Sequence, residues 1–136
     1  MNQLVPDVGV HHVAVHTTDY QGTVEFYTSL LGMTVSRSWQ AADGRQLALL
    51  DIGCGAFIEV IAFPAETPQP AGGQQHPWMH LALATSDPDT VWQRAIDAGF
   101  PSVIDPKDVS LGGLSARIAF FSGPNGEVIE LFSTRG

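Results

Sequence analysis

The amino-acid sequence predicts an α+β fold of two βαβββ modules, with eight short strands and two helices in 136 residues. Three observations carry that expectation. The two halves open on the same motif, each motif leads into a helical stretch that stops at a glycine, and three apolar runs separated by turn signals follow each helix.

The first half opens with His12-Val13-Ala14-Val15-His16-Thr17-Thr18-Asp19, and the second with His80-Leu81-Ala82-Leu83-Ala84-Thr85-Ser86-Asp87. In both, a His starts an apolar strand and an Asp follows seven positions later. Asp19 and Asp87 stand where a side-chain oxygen can accept from the free N–H groups of a first helical turn. Pro88 suits the first helical position, where its missing N–H costs nothing. Val24, Tyr27, Leu30 and Leu31 recur at helical spacing over 20–31, as do Val91, Ala95 and Ala98 over 88–98. Gly32 and Gly99 then fit the left-handed residue that closes a helix. In the first half the strands are expected at 33–40, 46–52 and 56–63, with turns at Asp43-Gly44 and Gly53-Cys54-Gly55. In the second they are expected at 102–105, 116–122 and 128–133, the last two joined by Gly123-Pro124-Asn125-Gly126. The stretch 64–77, rich in Pro, Gly and Gln, cannot continue a strand and is expected to be a linker. One domain over 1–136 is expected, with module one at about 8–63 and module two at about 78–133.

Composition narrows the function. At 44% apolar and 15% charged residues the chain is globular rather than disordered. With a net charge of −8 and six Lys and Arg there is no basic stripe to neutralise phosphates. Nucleic acid and anionic membranes are therefore unlikely partners. An acidic substrate would have to be caught by a metal or by a few arginines such as Arg37 or Arg117. No apolar run approaches the length of a membrane span, and the opening residues carry no signal-peptide pattern. The single Cys54 cannot form an internal disulfide, and a free thiol suits a reducing compartment, so a cytoplasmic protein is expected.

The repeat also carries polar residues. The last strand of each half holds one Glu among apolar neighbours, Glu59 and Glu130, at 47 and 50 positions after the opening His. Strand alternation puts His12 with Ala14 and His16, and Glu59 with Phe57 and Ile61. It likewise puts His80 with Ala82 and Ala84, and Glu130 with Val128 and Phe132. The opposite faces are almost wholly aliphatic and suit packing under the helices. Taken singly, a His at a strand start is more often structural, and a lone Glu is usually the wet face of a half-covered sheet. The paired offsets favour a joint role: His12, Glu59, His80 and Glu130 as ligands of one divalent ion, since a carboxylate taken from water needs a partner. Such a set suits Ni, Zn, Co, Mn or Fe better than Mg or Ca. His11, His16 and His76 have no repeat partner and are expected at the surface or behind the ligands, His16 being the one to touch substrate. Phe57, Phe132, Trp39 and Phe121 are either pocket lining or core.

The segment from His12 to Asp19, with Glu25-Phe26-Tyr27 and Leu30-Leu31-Gly32-Met33, resembles the opening module of the vicinal-oxygen-chelate superfamily. Gly123-Pro124-Asn125-Gly126-Glu127-Val128-Ile129-Glu130-Leu131-Phe132 resembles its closing hairpin. The resemblance covers about residues 8–133. It implies that the eight strands form a curled mixed sheet around one metal site, and that the protein is a homodimer, because short members often place their sites at a dimer interface. Among the members, glyoxalase I carries Glu at the position of Glu59. Epimerases typically carry Gln there, and ring-cleaving dioxygenases leave it without a ligand. The implied activity is a glyoxalase-like lyase or isomerase acting on a small oxygenated metabolite, with Glu130 as the proton-transferring base and Glu59 able to share that role. Two positions depart from glyoxalase I. His16 replaces an Arg and Phe63 replaces an Asn, and both changes remove capacity for glutathione and add apolar surface. Specificity is then expected to lie in loops at 64–77 and 104–115. An iron-dependent extradiol-type dioxygenase and a non-catalytic resistance-type binding protein stand as the alternatives.

Overall fold

A computed structural model describes residues 3–4, 6, 10–64, 80–111 and 114–134. Its contacts divide the chain into two compact units, Met1–Thr67 and Pro68–Gly136. The eight strands hydrogen-bond as two four-stranded mixed sheets, one in each unit, and the fold is α+β. Beyond Pro64, the expected linker and His76 lie outside the described residues.

Module one runs β1 (His12–Thr17), α1 (Tyr20–Glu25), β2 (Thr34–Gln40), β3 (Gln46–Asp51) and β4 (Phe57–Ala62). Its sheet order is β1-β4-β3-β2, with β1 parallel to β4 and the other pairs antiparallel. Asp19 caps α1 by accepting from the Gly22 N–H at 3.0 Å. The expected helix over 20–31 is not α throughout: Phe26–Leu30 widens into a π-helical turn. The Thr28 hydroxyl donates to the Val24 carbonyl at 2.7 Å, a local bond that competes with the regular ladder. Gly32, at φ +74°, then reverses the chain as expected.

Module two repeats the order with β5 (Leu81–Ala84), α2 (Pro88–Asp97), β6 (Ser102–Leu111), β7 (Leu114–Ser122) and β8 (Val128–Thr134), arranged β5-β8-β7-β6. Asp87 caps α2 through the Thr90 N–H, and Pro88 occupies the first turn. The main correction concerns 104–115, expected as a loop. Most of it is the β6–β7 hairpin. The strand runs on through Pro106, which sits in a register irregularity between Ile104 and Lys107, where a missing N–H is tolerated.

In each sheet one face turns toward the module's own helix. Leu50, Ile58 and Val60 are buried on that face of module one, against α1. Ala119, Phe121, Ile129 and Leu131 are buried on that face of module two, against α2 and its Ala95. Fully burying an aliphatic side chain of this size stabilises by roughly 1.5–3 kcal/mol relative to exposure. Phe121 therefore belongs to the core rather than to a pocket.

Candidate functional site

The opposite face of each sheet carries the chemistry. In module one the register aligns Ala14, Glu59, Leu49 and Arg37 as one row across the four strands. The neighbouring row is His16, Ile61, Leu47 and Trp39. His12 and Phe57 begin a third row. The residues of these rows share one side because parallel and antiparallel partners point the same way. His12 Nε2 lies 3.9 Å from Glu59 Oε1. On its other edge His12 Nδ1 is 2.9 Å from His11 Nδ1, so one ring donates to the other and the Nε2 edge is left facing Glu59. His11, expected at the surface or behind a ligand, is exposed and meets His12 and the ring of Phe57.

Module two builds the same arrangement from its own strands. Ala82, Glu130 and Phe120 form one row, and Ala84, Phe132 and Ile118 the next. His80 Nε2 lies 3.2 Å from Glu130 Oε1. Glu130 is a buried acidic side chain at 8% exposure, and every buried side-chain nitrogen and oxygen among the described residues has a hydrogen-bond partner. The Phe120 ring meets His80 edge-on, with centroids 5.2 Å apart. Sequence reasoning passed over Phe120. Its signal was present in the alternation along Ala119-Phe120-Phe121, where Phe121 belongs to the core and Phe120 to the opposite face.

Each module therefore gathers one imidazole and one carboxylate on the face away from its helix. Among the described residues no three His, Cys, Asp or Glu side chains group as a metal site. One module thus offers a two-donor chelate, and its donor types fit a borderline divalent ion that takes further ligands elsewhere.

The expected substrate contacts fall differently. His16 is exposed on the Glu59 face, its ring edge-on to Phe63 at 5.2 Å. Phe57 shares that face, and Phe132 shares the face of Glu130. Arg117 lies on the other side of its sheet. Its guanidinium donates to both carboxylate oxygens of Asp89, at 2.9 and 2.7 Å, and reaches Asp108 at 3.4 Å. The Asp89 hydrogen bonds hold its pKa above the ordinary arginine value. This fork ties β7 to the first turn of α2 and points away from Glu130. Cys54 is exposed in the turn before β4.

The family model described as Glyoxalase/Bleomycin resistance protein/Dioxygenase superfamily matches residues 9–131. The protein YaeR of Escherichia coli (strain K12) is 27% identical over 127 residues, covering 90% of this chain and 94% of that one. The trypanothione-dependent glyoxalase I of Leishmania major superposes with a TM-score of 0.71 at 22% identity, over 93% of this chain and 86% of that one. A glyoxalase family protein from Enterococcus faecalis gives 0.71 at 24% identity, over 91% and 96% of the two chains. At these identities the structural likeness is one of fold.

Proposed function

Because the chain belongs to the glyoxalase/bleomycin resistance protein/dioxygenase superfamily, we propose that it is a metal-dependent lyase or isomerase that moves a proton within a small oxygenated metabolite. The observation that supports this reading is the repeated His–Glu pair, His12 with Glu59 and His80 with Glu130, each on the face its module turns away from its helix. In this proposal the four side chains together hold one Ni, Zn, Co, Mn or Fe ion, and the protein is a homodimer. Such an ion, when bound, supplies Lewis-acid stabilisation for charge developing on a substrate oxygen.

The chain's own residues do the rest. The Glu130 carboxylate takes a proton from the carbon beside a carbonyl, and the electron pair of that C–H bond moves toward the carbonyl oxygen. Protonated Glu130 then returns the proton to the former carbonyl carbon, while the hydroxyl proton of the first carbon passes to the oxygen that took up the charge, so that carbonyl and hydroxyl exchange places. Glu59, more open to water, can share the transfer. Phe120 and Phe132 shield the Glu130 side from solvent, and His16 and Phe63 give the Glu59 side a largely apolar wall.

Metal content by plasma mass spectrometry tests the reading, on untagged protein beside a variant with all four residues changed to Ala, together with turnover of methylglyoxal hemithioacetals. The expected result is about one nickel, zinc, cobalt or manganese per site in the parent and none in the variant, with turnover lost on chelation and restored by metal. Iron with oxygen-dependent ring cleavage would replace the proposal with a dioxygenase. Small-molecule binding that survives chelation, in a protein that takes up no metal, would replace it with a binding module.

A further inference from the structure

Arg37 reaches its place through an irregularity. Val35 pairs with Leu50, whose side chain is buried on the helix face, yet Arg37 pairs with Leu49 rather than Ala48. Ser36 is therefore an extra residue in β2. Without it, regular alternation would put Arg37 and Trp39 on the side of Leu50 and Ala48, against the core. The bulge turns both onto the face that carries His12 and Glu59. The second module repeats the device, since the irregularity after Ile104 sets Lys107 opposite Ile118, on the Glu130 face.

Among the described residues Arg37 is also uncommitted. Arg45 is held by Asp43, and Arg117 by Asp89 and Asp108, whereas no carboxylate among the described residues pairs with Arg37. Two strand spacings, about 10 Å of backbone, separate Arg37 from Glu59. An extended arginine spans most of that gap. Beside it Trp39 is 42% exposed and offers a flat apolar surface.

We infer that Arg37 recognises an acidic group on the substrate, so that the oxygenated metabolite bears a carboxylate on the β2 side. The inference rests on the metal-site reading proposed above. The bland alternative is that Arg37 only guards an edge strand against pairing with another chain. A guard would not distinguish an acidic ligand from a neutral one.

Isothermal titration of nickel-loaded protein with catechol and with 3,4-dihydroxybenzoate separates these. The two probes share their vicinal oxygens and differ only in a carboxylate on the far side of the ring. The acid is expected to bind about tenfold or more tighter than catechol, as a charge-assisted contact requires. Arg37→Gln is expected to erase that margin, leaving catechol affinity and nickel content unchanged. Circular dichroism of R37Q checks that the fold is intact, and an Arg37→Lys variant should keep part of the margin. Catechol binding with no preference for the acid, or a preference unchanged in R37Q, would overturn the role of Arg37 alone. Failure of catechol itself to bind would overturn the metal-site reading and the inference with it.

Discussion

The two modules share a strand order but hold their His–Glu pairs differently. In module one the pair is 3.9 Å apart and the Glu59 side chain is 21% exposed, whereas in module two it is 3.2 Å apart and Glu130 is 11% exposed. The neighbour across the ladder differs as well. Glu59 sits beside Leu49, while Glu130 sits beside Phe120, whose ring also edges His80. The comparison teaches that a repeat can keep its polar pair and still place it differently, with a more buried carboxylate in one half and a wetter one in the other.

Replacing each carboxylate in turn is the strongest way to break that comparison. Glu130→Gln is expected to lower kcat by about 10²–10⁴-fold, the usual contribution of a positioned base. Glu59→Gln is expected to cost roughly tenfold, with most of the loss in metal affinity. Equal losses in kcat would mean that the difference in burial carries no functional division.

The helix faces should behave alike where the site faces do not. Leu50→Ala in β3 and Leu131→Ala in β8 each remove a fully buried side chain, and each is expected to cost about 2–5 kcal/mol in urea unfolding. A large disparity between them would show that one module contributes most of the measured stability.

The caps allow a finer test. Hydrogen bonds from the Thr90 side chain, and then from its backbone N–H, hold the Asp87 carboxyl below its ordinary value of 3.8. A depressed pKa contributes stability that is present above the unfolded value and lost as pH falls through the folded one. Asp87→Asn keeps a good capping side chain but removes the titration. Its Tm should therefore fall less than that of the parent between about pH 5 and about pH 3. Identical acid profiles would assign the acid sensitivity to other carboxylates.

How much of this was legible in the sequence depended on whether the signal was local. The Asp caps, the stop glycines and the alternation around Glu59 and Glu130 are written in neighbouring residues, and the structure places them as expected. Register is not local. Nothing in Thr34-Val35-Ser36-Arg37 marks Ser36 as the extra residue, because that is decided by which β3 residue lies opposite. The same holds at Pro106, where a bulge that needs no N–H lets the strand run through a residue that usually breaks one. Arg117 shows the same limit. Its charge suggested an anion site, but its partner Asp89 is 28 positions away, and the pairing emerges only when α2 lies across β7.

The parallel pairing of β1 with β4, and of β5 with β8, also makes the site pairs the least local contacts of each module. β2, β3 and β4 pair through short turns, so their ladders close with little loss of chain entropy. β1 has no partner until β4 exists, and the two are separated by the helix and both hairpins. The ladder that brings His12 to Glu59, and in the other half His80 to Glu130, thus closes the longest loop in its sheet. On the proposed metal reading, an ion would therefore stabilise only a module whose long loop is already closed.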